Sequence, residues 1–109
     1  MIGEFEYLIL AATAKLGDEA YGAAIRVEIE QATGERCATG ALYTTLDRLE
    51  DKGFLKTRMG DPTPQRGGRA KRMVRITAAG IEAASEFYAA IAKLTRGVTW
   101  QSSRGAVRA

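Results

Sequence analysis

A chain of 109 residues, 46% hydrophobic and 27% charged, suits one compact soluble domain with a modest core. Its single cysteine and absence of histidine exclude a disulfide framework, a structural zinc site and a histidine-based triad, and no cofactor, metal or enzyme chemistry is implied. The net charge of +3 conceals a segregation: residues 1–35 carry seven acids against two bases, whereas Lys56 to Arg75 carry seven bases against Asp61 alone, so one side of the molecule is suited to a polyanion.

The chain opens MIGEFEY, with acids where a secretory signal carries bases, and holds no long apolar run; a cytoplasmic protein with no membrane partner is expected. Helical spacing of Phe5, Leu8, Ile9, Ala12 and Leu16, with Tyr7 beside them, predicts a first helix over residues 3–16 that Gly17 stops. After the turn GDEA, Tyr21, Ile25, Ile29 and Ala32 stripe a second helix over residues 20–32, ended by Gly34. Gly22 lies inside that helix at a cost of roughly 1 kcal/mol, which points to close approach of a neighbouring helix or a DNA phosphate. Glu35 to Cys37 are open to two readings, a short strand or the turn before the next helix. Cys37 borders a helix start, where a thiol's pKa can fall and support redox sensing; a small buried apolar residue is the plainer role.

From Cys37 to Arg58 the sequence reads CATGALYTTLDRLEDKGFLKTR. Leu42, Leu46 and Leu49 stripe one side of a helix over residues 39–52, with Thr39 as N-cap and Gly53 as the left-handed residue that ends it. Gly40, Ala41, Thr44, Asp47, Arg48 and Asp51 point the other way, and the first turns of that face carry only small groups. A helix this slim fits a DNA major groove, where threonine hydroxyls and methyls, with Tyr43 at the margin, reach base edges and phosphates. An ordinary amphipathic surface helix would share the pattern. Asp47, Glu50 and Asp51 form an acidic cluster expected to be a solvated face.

The residues after this helix favour DNA. Leu55 to Gly60 and Lys71 to Thr77 alternate around the polar stretch DPTPQRGGRA, predicting a two-stranded hairpin with a basic tip. A slim-faced helix leading at once into a basic hairpin is the order of parts in a winged helix-turn-helix. Thr77 then caps an alanine-rich last helix in which Ala84, Phe87, Ile91, Leu94 and Val98 are spaced three, four, three and four, with Tyr88 alongside. This seam suits a partner helix from a second subunit; burial against the first helix of the same chain is the alternative, and both can occur together. After Trp100 the sequence QSSRGAVRA predicts a frayed or disordered tail.

GEFEYLIL, DEAYGAAIRVEIEQATG, GALYTTLDRLEDKGFLKTR, PTPQRGGRAKRMVRIT and the adjoining AAG resemble the PadR family of bacterial transcriptional regulators over residues 3–80. Tyr21-Gly22, the helix at residues 40–53 and the RGGRAKR wing are specific in combination. The resemblance implies a homodimeric winged-helix repressor that binds double-stranded DNA, of the short kind with one helix after the wing. In some short members the dimer interface binds a flat aromatic effector, and Phe87, Tyr88 and Trp100 are compatible with that. The strand after the wing often carries tyrosines in this family, whereas here it reads Met73-Val74.

The expected fold is therefore mainly α with a small β-hairpin, a winged helix-turn-helix plus a C-terminal dimerisation helix. Residues 1–76 form the DNA-binding domain, 77–100 the dimerisation helix and 101–109 the tail. Thr39, Gly40, Ala41, Tyr43, Thr44 and Arg48 are expected in the groove, with Arg66, Arg69, Lys71 and Arg72 on phosphates. Ala84, Phe87, Tyr88, Ile91, Leu94 and Val98 are expected to form the dimer contact. The alternative function is a winged-helix adaptor whose basic wing meets an acidic protein surface without sequence-specific DNA binding.

Overall fold

The computed structural model describes residues 1–60, 70–102 and 105–108. Helix α1 spans Glu4–Leu16. The Gly3 amide donates to Glu6 Oε1 at 3.0 Å, so a first-turn carboxylate satisfies one of the otherwise unpaired amides at the helix start. Gly17, at φ 58°, breaks the helix and leads through a 3-10 turn, Gly17–Glu19, into two extended residues. Here the structure departs from expectation. Ala20 and Tyr21 do not belong to the second helix: the Val74 amide donates to the Ala20 carbonyl at 3.0 Å, and Tyr21 bridges Met73 in antiparallel fashion.

Helix α2 accordingly starts at Gly22 and runs to Thr33. Gly22 is its first helical residue, where the interior penalty does not apply, and the close neighbour is protein. A Cβ built there would overlap the Tyr43 ring. Glu35 to Cys37 form no strand; the strand-like pairing falls at Ala20–Tyr21 because that segment runs beside the hairpin.

Helix α3 spans Thr39–Asp51, and after it come strands β1 (Leu55–Met59) and β2 (Arg72–Ile76). Ala38, not Thr39, is the N-cap of α3, with extended backbone and no side-chain cap; Thr39 is the first helical residue and its side chain is exposed. Gly53 adopts φ 81° as expected of a helix stop. The strands pair antiparallel from Leu55 opposite Ile76 to Met59 opposite Arg72.

Ile9, Leu10, Ile25, Leu42, Leu46 and Leu49 have 0% exposure, so the leucine stripe of α3 joins the stripes of α1 and α2 in one core. Leu55 and Val74 extend that core onto the hairpin. Burying a leucine or isoleucine is worth roughly 1.5–3 kcal/mol, and this cluster is the main force placing α3.

Helix α4 spans Ala78–Thr95. Thr77 Oγ1 accepts from the Gly80 amide at 3.0 Å and donates to the Gly53 carbonyl at 2.7 Å; the cap read from sequence also bolts α4 to the turn after α3. The apolar seam of α4 divides. Ala84 and Phe87 pack on the core, and the Phe87 ring stacks on Tyr7 at 4.8 Å between centroids. Leu94 and Tyr88, at 77% and 63% exposure, face outward with Ile91 and Val98.

Helix α4 stops at Thr95, short of the expected residue 100, so Val98 lies beyond it. Gly97 at φ 80° turns the chain into strands β3 (Thr99–Ser102) and β4 (Gly105–Arg108), which pair antiparallel where the sequence predicts the helix end and a tail. Thr99 and Trp100 are strand-favouring residues. Mainly α with a small hairpin is the observed class, and among the described residues no helix is long and apolar enough to cross a membrane.

Candidate nucleic-acid interface

The face of α3 opposite its leucines is open. Thr39, Gly40, Ala41, Thr44, Asp47 and Arg48 are exposed, whereas Thr45 turns inward and donates its hydroxyl to the Ala41 carbonyl at 2.8 Å. The slim surface expected from the sequence therefore exists, uncovered by the rest of the described chain. Tyr43 is half-buried at its margin, its ring seated on Gly22 at the start of α2. That contact orients the two helices, and it leaves only part of Tyr43 for any ligand.

The hairpin is held against this helix by groups that sequence spacing alone does not bring together. Glu50 Oε2 accepts from the Thr57 amide at 3.0 Å and from the Thr57 hydroxyl at 2.8 Å. Arg72 reaches across from β2 to Asp47 at 2.7 Å and to Glu50 at 3.4 Å. Asp47 and Glu50 thus anchor the wing, although their clustering in the sequence suggests a solvated acidic face. Arg72, expected on phosphates, has its guanidinium committed to α3. Its net worth to stability is small, as for most exposed pairs, but it fixes the angle between helix and hairpin.

Lys71 Nζ lies 4.3 Å from the centre of the Tyr21 ring, a cation–π contact that steadies the lysine beside the start of α2. Arg66 and Arg69 lie outside the described residues. On the far side of α3, Lys52 pairs with Glu6 at 2.9 Å, tying the end of the helix to α1.

Hydrogen bonds to Glu6 and Glu50 set an acid dependence. The Gly3 amide, aided by Lys52, outweighs burial and lowers the Glu6 pKa from 4.5; the Thr57 hydroxyl and amide, then Arg72, lower that of Glu50 from 4.5. A carboxylate whose folded value is depressed contributes fully above its unfolded value and loses that contribution as pH falls through the folded one. Thermal melts should therefore fall more steeply with pH below 4.5 for the wild type than for Glu6→Gln/Glu50→Gln. Parallel curves would remove both groups from the acid response. Cys37 is buried in the core cluster, and burial, then Glu30, raises its thiol pKa, the opposite direction from an activated, redox-sensing thiol.

A three-helix core, a hairpin pinned to the third helix and an open helix face beside it define a winged helix-turn-helix protein. The model of the transcriptional regulator PadR-like family matches residues 9–86, and the chain belongs to that family. It is 39% identical over 83 residues to the transcriptional regulator Rv3488 of Mycobacterium tuberculosis, covering 74% of this chain and 71% of that protein. A transcriptional regulator from Clostridium thermocellum superposes with a TM-score of 0.69 at 25% identity, over 90% of this chain and 94% of the other. A PadR-like transcriptional regulator of Bacillus cereus gives 0.69 at 19% identity over 86% of each chain; at that identity the likeness concerns the fold. The protein is a transcriptional regulator, not an enzyme.

Proposed function

We propose that this regulator is a cytoplasmic repressor that binds a pseudo-palindromic operator as a homodimer. Residues 1–76 carry the DNA-binding unit, and the segment 77–100, most of it helix α4, carries the dimer contact. The observation that carries the reading is the exposed, small-residue face of α3 beside a basic hairpin. In this reading Thr39, Gly40, Ala41, Thr44 and Arg48 enter the major groove with the free edge of Tyr43, while Lys71 and the tip arginines Arg66 and Arg69 meet phosphates. Arg72 serves by holding the hairpin at the right angle to α3.

Selection from random duplexes tests this directly: a two-fold symmetric motif with half-sites about one helical turn apart is expected. Thr44→Ala should change the preferred base at one position of each half-site, worth about 1–3 kcal/mol or less, with stability unaltered because the side chain is exposed. Recovery of an identical motif by both proteins would remove Thr44 from base reading. A protein that retards no duplex, including its own upstream region, would instead be an adaptor.

An aromatic effector has a candidate seat. Tyr88, Ile91 and Trp100 border a surface cleft of about 820 Å³ at the end of α4, which a second subunit would partly close. Phe87 is not part of it, being stacked on Tyr7. Trp100 is the sole tryptophan, so a planar aromatic ligand bound there should quench its fluorescence saturably. Unchanged emission across a panel of such ligands would empty the seat.

A further inference from the structure

Asp47 stands on the open face of α3 one turn beyond Thr44, with its side chain 64% exposed. Arg72 Nη2 donates to Asp47 Oδ1 at 2.7 Å and to Glu50 Oε1 at 3.4 Å. The hairpin is fastened independently through Glu50, whose other oxygen takes the Thr57 amide and hydroxyl, so the wing has an anchor without Asp47. Asp47 Oδ2 accepts no hydrogen bond among the described residues. The ion pair therefore leaves a carboxylate oxygen, restrained by a guanidinium and open to solvent, on the helix face that carries the small residues.

A carboxylate on a surface that meets a polyanion costs affinity. Arg72 offsets part of that cost, and a small neutral residue would avoid it altogether. What a small residue lacks is a strong acceptor. In the major groove guanine offers the acceptors N7 and O6, and thymine offers O4 beside a methyl group; adenine places the acceptor N7 next to its amino group, and cytosine alone offers an amino donor with no acceptor on the same base. We infer that Asp47 is a specificity-determining residue, accepting from cytosine N4 through Oδ2 and repelling the other bases there. The helix rises about 4.5 Å from Thr44 to Asp47, so the cytosine lies within about two base pairs of the position Thr44 reaches. The inference rests on the proposed reading of DNA by α3.

Selection from random duplexes with the wild type, Asp47→Ala and Asp47→Asn tests it. The wild-type motif should hold a cytosine at that position in each half-site. Asp47→Ala should lose that preference, about tenfold in affinity, while binding duplexes with other bases there at least as tightly as the wild type does. Asp47→Asn should take adenine instead, because an amide pairs with both N6 and N7. Neither variant should melt appreciably lower, since the exposed ion pair is worth little and Arg72 keeps Glu50. Loosening of the wing would weaken all duplexes alike and shift no base. The same motif from all three proteins, with or without a uniform loss of affinity, therefore overturns the inference and leaves Asp47 to the wing. If the wild type selects no motif at all, the α3 reading itself fails and this inference with it.

Discussion

Leu94→Glu is expected to yield a folded monomer that binds operator DNA about 10²- to 10⁴-fold more weakly than the wild type, the range lost when two linked half-site contacts become one. Leu94 is 77% exposed in the single chain, so a glutamate there stays hydrated and the fold has no reason to respond. In a dimer built on the outer half of α4 the same carboxylate would be buried among Tyr88, Ile91 and Val98 without a partner, which is strongly unfavourable. The split of the α4 seam is what makes the prediction specific. Ala84 and Phe87 are already used against the core, so Phe87→Ala should lower stability, whereas Leu94→Glu should alter only assembly. Light scattering at micromolar concentration decides it. A variant that stays dimeric, or a wild type that is already monomeric, would refute the proposed assembly.

Gly80→Ala is expected to destabilise the protein by about 1–3 kcal/mol although intrinsic propensity predicts a gain approaching 1 kcal/mol for the same change in a helix. The opposite signs make the experiment informative. A Cβ at Gly80 would overlap the Phe54 carbonyl oxygen and crowd Ile76, and a backbone atom cannot rotate out of the way. That same carbonyl accepts from the Thr77 amide at 3.1 Å, so moving it disturbs the cap of α4 as well. The glycine sets how closely α4 sits on the turn between α3 and β1, and through that turn on the hairpin. A thermal melt several degrees lower is the expected result. An unchanged or raised midpoint would mean that α4 shifts freely on this turn.

The two glycines in close contact show how differently sequence and structure speak. Gly22 signals a close approach in the sequence, but nothing local says whether the neighbour is protein or phosphate. The structure supplies Tyr43. Gly80 gives no sign of a close contact in the sequence, since a glycine near a helix start is ordinary. Glu50 is similar: beside Asp47 and Asp51 on one helix, it reads as part of a solvated face. Its partners Thr57 and Arg72 are seven and 22 residues away, and no periodicity links such positions.

The amino-acid sequence by itself determined much of what depends on spacing along one element, though not the ends of the helices. The leucine stripe of α3, its small opposite face, the Gly53 stop, the Thr77 cap and the basic hairpin all come from the 3.6- and 2-residue periods and from local backbone chemistry. Tertiary structure alone decided which groups meet across elements: Ala20–Tyr21 beside β2, Arg72 on Asp47 and Glu50, Lys71 over Tyr21, and the division of the α4 seam at Phe87. The physical reason is that those pairings are selected by how the buried stripes of three helices pack, and packing brings together residues whose separation in the chain carries no information about their distance in space.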